Sequence, residues 1–331
     1  MRAIPRSLIP YLISLHQELF ETPLTMITSI DSLFPRFATD HSAQASDKWS
    51  KVLRWVVPAQ NPRPQVVVST SLYFGTHRPE KFPHKPITPQ NINQPRPWIR
   101  GCKSWRETYF KPFLDGCHQN LPSGWVHRVY ISRELQFLIP EIPPQVQIAV
   151  MRENSWGAVP GMFWRYLPLQ HDVFCVARGA DNYRLDDQII NVVHAAVSEN
   201  IFMVRMIARI WRREQKLIYR SVHGSCAAKG PVPFVQAVSQ WIEATRNGLI
   251  SEQIPALPGM LHHGLSQWNV YGQDEQFLCR WLYYLGSNQK TIGLYFKRTD
   301  PEIFPSDQAY YDSCGGTHRY LVIENPARYT N

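Results

Sequence analysis

Short apolar runs alternate with amphipathic segments through the first half of the chain. Four runs of β-branched and aliphatic residues, each bounded by turn residues, are typical of buried strands; they cover 66–70, 125–131, 146–151 and 173–177. Helical spacing predicts helices over 105–117 and 132–139, with Ser132 as the N-cap of the second. Strands and helices at these intervals predict βαβ units, and therefore an α/β fold with a mostly parallel central sheet flanked by helices.

The N-terminal part has a different pattern. Leucines and isoleucines recur at helical spacing between Leu8 and Leu19, and Trp49–Val57 is a second apolar segment. These features predict a helical extension over 1–56. Three prolines follow within Pro58–Pro64, a segment that cannot hold a helix. We therefore divide the chain into an N-terminal helical extension with its linker, 1–64, and a main domain, 65–331.

The spacing of apolar residues and prolines predicts further helices, two loops and a last strand. The apolar spacing favours helices over 185–198, 231–246 and 274–284 and a strand over 320–323. Proline and polar residues predict an extended surface loop over 77–99, and a second loop over 249–270 that would border an acceptor site.

The stretch Pro160–Asp187 connects the fold prediction to chemistry. A short helix containing Arg165 is predicted to end at Pro168, and the apolar run 173–177 stops at Arg178-Gly-Ala-Asp-Asn182. Ligands of open α/β sheets bind just beyond the carboxyl ends of such strands. Asp181 is therefore expected at a binding site.

Four blocks along the chain together resemble a known family. They are Val67–Gly75, with Ser-Leu-Tyr-Phe-Gly at its end, Gly161–Pro168, Arg178–Asn182 and Tyr271–Leu278. In order and approximate spacing, over roughly residues 66 to 310, this set resembles nucleotide-sugar glycosyltransferases of the GT-A type. In that family a Ser-Leu-Tyr-Gly strand opens the nucleotide half, a Trp-Arg-x-Leu-Pro helix precedes an Arg-Asp-x-Asp-Ser strand end, and Tyr-Gly-x-Asp-Gln begins a late helix.

The resemblance implies a GT-A-like, Rossmann-like domain that transfers a sugar from a nucleotide-sugar donor to an unidentified acceptor, which is a glycan, a lipid or a protein. It implies a divalent metal, Mn²⁺ or Mg²⁺, bound at Asp181, and it makes Asp274 the acceptor-side carboxylate, as general base or acceptor anchor. The donor-binding residues that it implies are Ser71, Tyr73, Gly75, Arg165, Arg178, Asp181 and Asn182.

The chain departs from the family at the metal motif. Gly179 occupies the position of the first carboxylate, so the Asp-x-Asp motif is degenerate, and the Gly-rich loop with its tryptophan is reduced to Gly224–Lys229. Three outcomes stay open: metal binding through fewer protein oxygens, charge neutralisation by Arg165, Arg178 and neighbouring bases, or loss of catalysis.

Two of the implied roles also have structural alternatives. Asp274 equally fits a carboxylate that stabilises the first turn of its helix. Arg165 alternatively ties its helix to Asp172 or a nearby carboxylate.

The charge of the chain suggests a different kind of function, the binding of anionic partners. The 331 residues include 35 Lys and Arg against 26 Asp and Glu, a formal net charge of +9, which favours anionic partners. Basic residues recur near helical intervals from Arg205 to Arg220, as in a basic amphipathic helix that binds nucleic acid or an anionic surface, or in a solvated helix face. The alternatives to an active transferase are thus a non-catalytic GT-A-like relative and a basic binder with steeply salt-dependent affinity.

Cysteine spacing and hydropathy set the expected compartment. The six cysteines show no Cys-x-x-Cys or Cys/His spacing, which argues against a structural zinc site, and Cys175 within its strand is expected to behave as a small hydrophobe. The chain contains no Asn-x-Ser/Thr sequon and no stretch approaching ~18 consecutive apolar residues. We expect a cytoplasmic protein without a membrane span.

Overall fold

The computed structural model describes residues 48–58, 63–74, 86–97, 99–152, 160–213, 216–246, 274, 277, 278, 291–296 and 318–323. Within these residues nine strands form one mixed sheet in the order β1-β4-β3-β2-β5-β7-β6-β8-β9. The strands are β1 (Val52–Val57), β2 (Val66–Leu72), β3 (Trp125–Ser132), β4 (Gln147–Met151), β5 (Phe174–Ala177), β6 (Met203–Arg213), β7 (Lys216–Lys229), β8 (Thr291–Phe296) and β9 (His318–Ile323).

Parallel pairs predominate in this sheet. Strand β2 pairs in parallel with β3 and β5, β3 with β4, β6 with β8, and β8 with β9. The antiparallel pairs are β1 with β4, β5 with β7, and β6 with β7. The predicted α/β class with a mostly parallel sheet is confirmed, and the strands at 66–70, 125–131, 146–151, 173–177 and 320–323 are found with small changes at their ends.

Helices connect the strands, and several of them are short and tightly wound. The α-helices are α1 (Lys111–Cys117), α2 (Pro160–Phe163), α3 (Asp187–Ser198) and α4 (Phe234–Arg246). A π-helical turn, Arg106–Phe110, leads into α1, and the 3₁₀ segments are Lys48–Ser50, Arg100–Cys102, Arg133–Glu141, Trp164–Gln170 and Ala180–Asn182. The helices predicted over 105–117, 185–198 and 231–246 are confirmed, and residues 274, 277 and 278 are helical as predicted.

The strand order places a crevice beside the central strand. From β2 the chain moves outward to β3 and β4, and it then returns to the other side of β2 as β5. Such a reversal separates the loops that follow the two neighbouring strands, and ligands of open α/β sheets bind at this point. The carboxyl ends of β2 and β5 therefore mark the position for a site.

Hydrophobic cores cover both faces of the sheet. The first contains Val68, Phe113 and Leu135 among its buried side chains, and the second contains Phe163 and Phe234 among its own. Every residue of β2 is buried, as expected for a strand covered on both faces.

The end of the predicted N-terminal helical extension is a strand, so this part of the prediction is wrong. Val52–Val57 forms β1 and pairs antiparallel with β4, and it therefore belongs to the main sheet. Its valines and tryptophan favour a pleated strand over a helix. The apolar spacing at 8–19 lies outside the described residues.

One helix-end prediction is wrong, and one N-cap prediction is confirmed in its position only. Pro168 does not end its helix: it lies inside the 3₁₀ segment Trp164–Gln170, because the φ angle that proline imposes is compatible with a helical turn. Ser132 occupies the N-cap position of Arg133–Glu141, but its side chain makes no capping hydrogen bond.

The basic stripe from Arg205 to Arg220 lies on strands rather than on an amphipathic helix. Strand β6 ends at Arg213 and the antiparallel β7 begins at Lys216. Isoleucine, tryptophan and tyrosine between the basic residues favour extended backbone, and this preference overrides the apparent helical interval. The described residues of the stripe therefore lie on β6 and β7, and the basic-binder alternative stays a prediction.

The predicted surface loop at 77–99 is packed at its end. Ile87 and Ile92 are buried in the first core, so the apolar side chains between the prolines anchor this segment. Residues 77–85 and 98 of that loop and the predicted loop at 249–270 lie outside the described residues.

Candidate functional site

The segment that follows β5 is bound tightly to β2. The Arg178 amide donates to the Ser69 carbonyl at 2.9 Å, and Thr70 Oγ1 donates to the Arg178 carbonyl at 2.9 Å. The Arg178 side chain is buried, and its Nη2 donates to the Arg184 carbonyl at 3.2 Å. These contacts fix the start of the loop that carries Asp181.

Arg165 is anchored to the same two strands through its backbone. Its carbonyl accepts a hydrogen bond from Ser69 Oγ, on β2, and one from Cys175 Sγ, on β5, at 3.6 Å. Cys175 is buried, and burial raises the pKa of its thiol to about 12, as expected for an inert side chain in a strand. The helix that carries Arg165 is thereby held across the crevice.

The Arg165 guanidinium forms a buried ion pair with Asp274. Arg165 Nη2 binds Asp274 Oδ2, which also accepts from the Tyr166 hydroxyl at 3.3 Å, and the guanidinium lies over the Tyr166 ring, 5.0 Å from its centroid. The two charged side chains are 15% and 5% exposed. Burial lowers the pKa of Arg165, but Tyr166, Asp274 and Tyr73 together raise it well above its usual range, so the cation is permanent.

Gly179 lies between Arg165 and Asp181. A Cβ atom built on Gly179 would be 2.5 Å from Asp181 Oδ1 and 3.8 Å from Arg165 Nη1. Asp181 is exposed, and the Asn182 amide donates to the Gly179 carbonyl at 3.1 Å to close the turn. The absent side chain leaves room for the Asp181 carboxylate, which occupies the position that a Cβ atom at 179 would need.

The Tyr73 ring packs on the Gly161–Pro168 block. It lies against Gly161, where a Cβ atom would be 2.3 Å from the ring, and it meets Trp164 edge to face at a centroid distance of 6.4 Å. Only glycine at 161 permits this approach. The Tyr73 ring is thus held by two residues of the Gly161–Pro168 block.

Two buried polar atoms in the Val67–Gly75 and Gly161–Pro168 blocks have no hydrogen-bond partner among the described residues. They are Ser71 Oγ, at the end of β2, and Arg165 Nε. Leaving such a group unsatisfied costs about 1–3 kcal/mol. Unsatisfied groups of this kind are common where a ligand completes the hydrogen bonding.

Asp181 has few partners with which to hold a metal. No group of three or more His, Cys, Asp or Glu side chains suited to a metal ion occurs in the part of the chain that the structure describes. One exposed carboxylate nevertheless fits Mg²⁺, which proteins often hold through one or two carboxylates while substrate phosphates and water complete the coordination. The described residues thus fit a cation that arrives with a diphosphate better than a resident metal.

Most of the predicted site residues come together at the carboxyl ends of β2 and β5. Ser71, Tyr73, Arg165, Arg178, Asp181, Asn182 and Asp274 all lie there or contact residues that do. Gly75 lies outside the described residues. The structural alternative for Arg165, a tie to Asp172 or a nearby carboxylate, is met by an ion pair with Asp274 rather than with Asp172.

Sequence reasoning missed two tyrosines of this site. Tyr166 binds Asp274, and its position next to Arg165 in the helix was the available signal. Burial, with a smaller effect of the nearby Asp181 carboxylate, raises the pKa of Tyr109 to about 12. No sequence signal connected Tyr109, in the π-helical turn before α1, with Asp181.

Comparison with protein-family models, with curated proteins and with solved structures found no match. Among the helices that the structure describes, none has both the length and the apolar character needed to cross a bilayer.

Proposed function

We propose that this chain is a GT-A-like glycosyltransferase that binds a nucleotide sugar at the carboxyl ends of β2 and β5. The observation that carries the proposal is that blocks distant in sequence meet at this one place. Tyr73 packs on Gly161, Arg165 pairs with Asp274, and Gly179 separates Arg165 from Asp181. These contacts join all four blocks that resemble the family, at the position where open α/β sheets bind ligands.

The reaction would use the charges of this site. In sugar transfer the bond between the anomeric carbon and the diphosphate oxygen breaks, and a bond to an acceptor oxygen forms as the acceptor loses its proton. Positive charge beside the diphosphate stabilises the negative charge that develops on it. Arg165 supplies that charge, and a Mg²⁺ or Mn²⁺ ion held on Asp181 would add to it when bound with the donor.

Ser71 and Tyr73 belong to the nucleotide side of the crevice. The unsatisfied Ser71 hydroxyl and the fixed Tyr73 ring provide a polar and an aromatic contact for a nucleoside. Asp274 remains the candidate for the acceptor-side carboxylate, as general base or anchor.

A nucleotide-binding panel tests the proposal. UDP, GDP, CMP and their sugars, with and without Mn²⁺, are added to the wild type and to Asp181→Ala, and thermal unfolding is followed. One nucleotide is expected to stabilise the wild type, by about 2.7 kcal/mol at a hundredfold excess over Kd. Asp181→Ala should abolish the metal-dependent part of that stabilisation.

The control variant is Glu141→Gln, which removes one carboxylate from an exposed ion pair with Arg106. It should respond to the nucleotide as the wild type does. Absence of stabilisation by every nucleotide in the folded wild type would refute the proposal and favour the non-catalytic relative.

A further inference from the structure

We infer that Asp274 and Tyr166 are positioning residues, which hold the Arg165 guanidinium so that it binds the diphosphate group of the ligand directly. This inference rests on the proposed function for the identity of the ligand. The chemistry that it assigns, a diphosphate-binding guanidinium oriented by a buried carboxylate and a phenol, is tested separately with inorganic pyrophosphate.

The contacts of Asp274 suit orientation of a cation. One of its oxygens, Oδ2, binds both Arg165 Nη2 and the Tyr166 hydroxyl. The Asp274 carboxylate is 5% exposed and is paired with a permanent cation. These contacts fit a role in holding the Arg165 guanidinium in place.

Tyr166 restricts the guanidinium from a second direction. The Arg165 Cζ atom lies 5.0 Å from the centroid of the Tyr166 ring, a cation–π geometry, while the hydroxyl of the same ring binds Asp274. Because Ser69 and Cys175 hold the Arg165 carbonyl, both ends of the arginine are fixed. Little conformational entropy then remains to be lost when an anion binds.

The ion pair with Asp274 engages the Nη2 atom of the guanidinium. Its Nη1 is 3.8 Å from the position of a Cβ atom on Gly179, and its buried Nε has no hydrogen-bond partner among the described residues. Asp181 Oδ1 lies 2.5 Å from the same Cβ position, so a phosphate group that binds Arg165 here would lie beside the Asp181 carboxylate. An aspartate at 179 would add a second carboxylate next to Nη1 and compete with an anionic ligand.

The experiment measures pyrophosphate affinity by calorimetry, with and without Mg²⁺, on the full chain. Arg165→Met should weaken binding by about tenfold or more, the loss of a charge-assisted hydrogen bond. Asp274→Asn should weaken it by a similar factor although Arg165 is intact, Asp274→Glu should recover part of the affinity, and Tyr166→Phe should lie between Asp274→Asn and the wild type.

The matched control is Asp172→Asn, which makes the same charge change at an exposed aspartate. It should bind pyrophosphate as the wild type does. Circular dichroism and urea unfolding establish that each variant is folded at the assay temperature, and Tyr166→Phe provides the test if Asp274→Asn does not fold.

Three results would overturn the inference: no pyrophosphate binding by the wild type, wild-type affinity in Arg165→Met, or wild-type affinity in both Asp274→Asn and Tyr166→Phe. Wild-type affinity in Asp274→Asn together with loss of sugar transfer would instead identify Asp274 as the base. Pyrophosphate binding without any nucleotide binding would leave the diphosphate subsite standing while the proposed function fails.

Discussion

His127, on β3, is buried against Tyr183 of the loop that follows β5, and its environment favours the neutral imidazole. Its Nδ1 is 3.1 Å from the Tyr183 hydroxyl, its Nε2 is 3.2 Å from the Gln119 carbonyl, and the side chain lies between the sheet and the loop after β5. Burial lowers the pKa of His127, and the opposing effect of the Gln119 carbonyl is smaller. The folded protein therefore binds this proton less readily than the unfolded chain.

The sign of the pH dependence follows from that shift. A histidine has a pKa of about 6.5 in an unfolded chain. The contribution of His127 to stability is complete above that pH, and it is lost as the pH falls from about 6.5 through the lower pKa of the folded state. Urea unfolding between pH 5 and pH 8 should show a free energy of unfolding that decreases on the acid side.

His127→Gln should flatten this acid decrease, because glutamine does not titrate. His194→Gln is the control, since His194 is exposed on α3, and it should keep the wild-type profile. An unchanged acid slope in His127→Gln would show that other groups cause the decrease.

At the scale of elements, the segment that precedes the linker is built into the main domain. Trp49 packs edge to face against Phe163 and Phe234, at centroid distances of 6.1 and 6.3 Å, and Trp164 Nε1 donates to the Trp49 carbonyl at 2.5 Å. Trp49 thus touches the helix that carries Arg165. Strand β1, which follows directly, exposes Leu53 and Trp55.

Two tryptophan substitutions test this integration. Trp49 is 7% exposed and Trp55 is 38% exposed. Trp49→Ala should lower the free energy of unfolding by about 3–5 kcal/mol, the usual cost of removing a large buried aromatic side chain. Trp55→Ala should cost less than half as much, as measured by urea unfolding. Equal and small losses for both variants would mean that residues 48–57 are dispensable for the fold.

The elements that sequence predicted well are those with a local signal. The valines of β2 and the run Val173–Ala177 are short, apolar and bounded by turn residues, so buried strands were identifiable. Strand β1 and the β6–β7 hairpin were missed because tertiary pairing decided their structure. Pairing with a neighbouring strand determines the backbone conformation more strongly than a helical spacing of basic residues does.

In the candidate site, too, the sequence identified individual residues but not the contacts between residues that are distant along the chain. The resemblance selected Arg165 and Asp274 separately, because each lies in a recognisable block. Their ion pair joins residues 109 positions apart, which local periodicity cannot predict. The sequence therefore selected Arg165 and Asp274 as candidate site residues, while the fold brings Asp274 into contact with Arg165.

At the scale of the whole molecule, the central strand connects two cores. Val68 of β2 belongs to the first core, which includes Phe113, whereas the next residue, Ser69, faces the helix that carries Arg165 beside the second core. Phe163 lies in that second core. Because β2 contributes to both sides and its carboxyl end forms the crevice, loss of either core should disrupt the site.

We therefore predict that both cores unfold in one transition. Phe113→Ala and Phe163→Ala, at two fully buried side chains on opposite faces, should each lower the free energy of unfolding by about 3–5 kcal/mol. In each variant, far-ultraviolet circular dichroism and tryptophan fluorescence should report the same urea midpoint, since a shared sheet couples the two cores. If instead each substitution shifted only one of two separable transitions, the faces would be independent folding units, and the crevice at β2 and β5 would lie on a boundary between them.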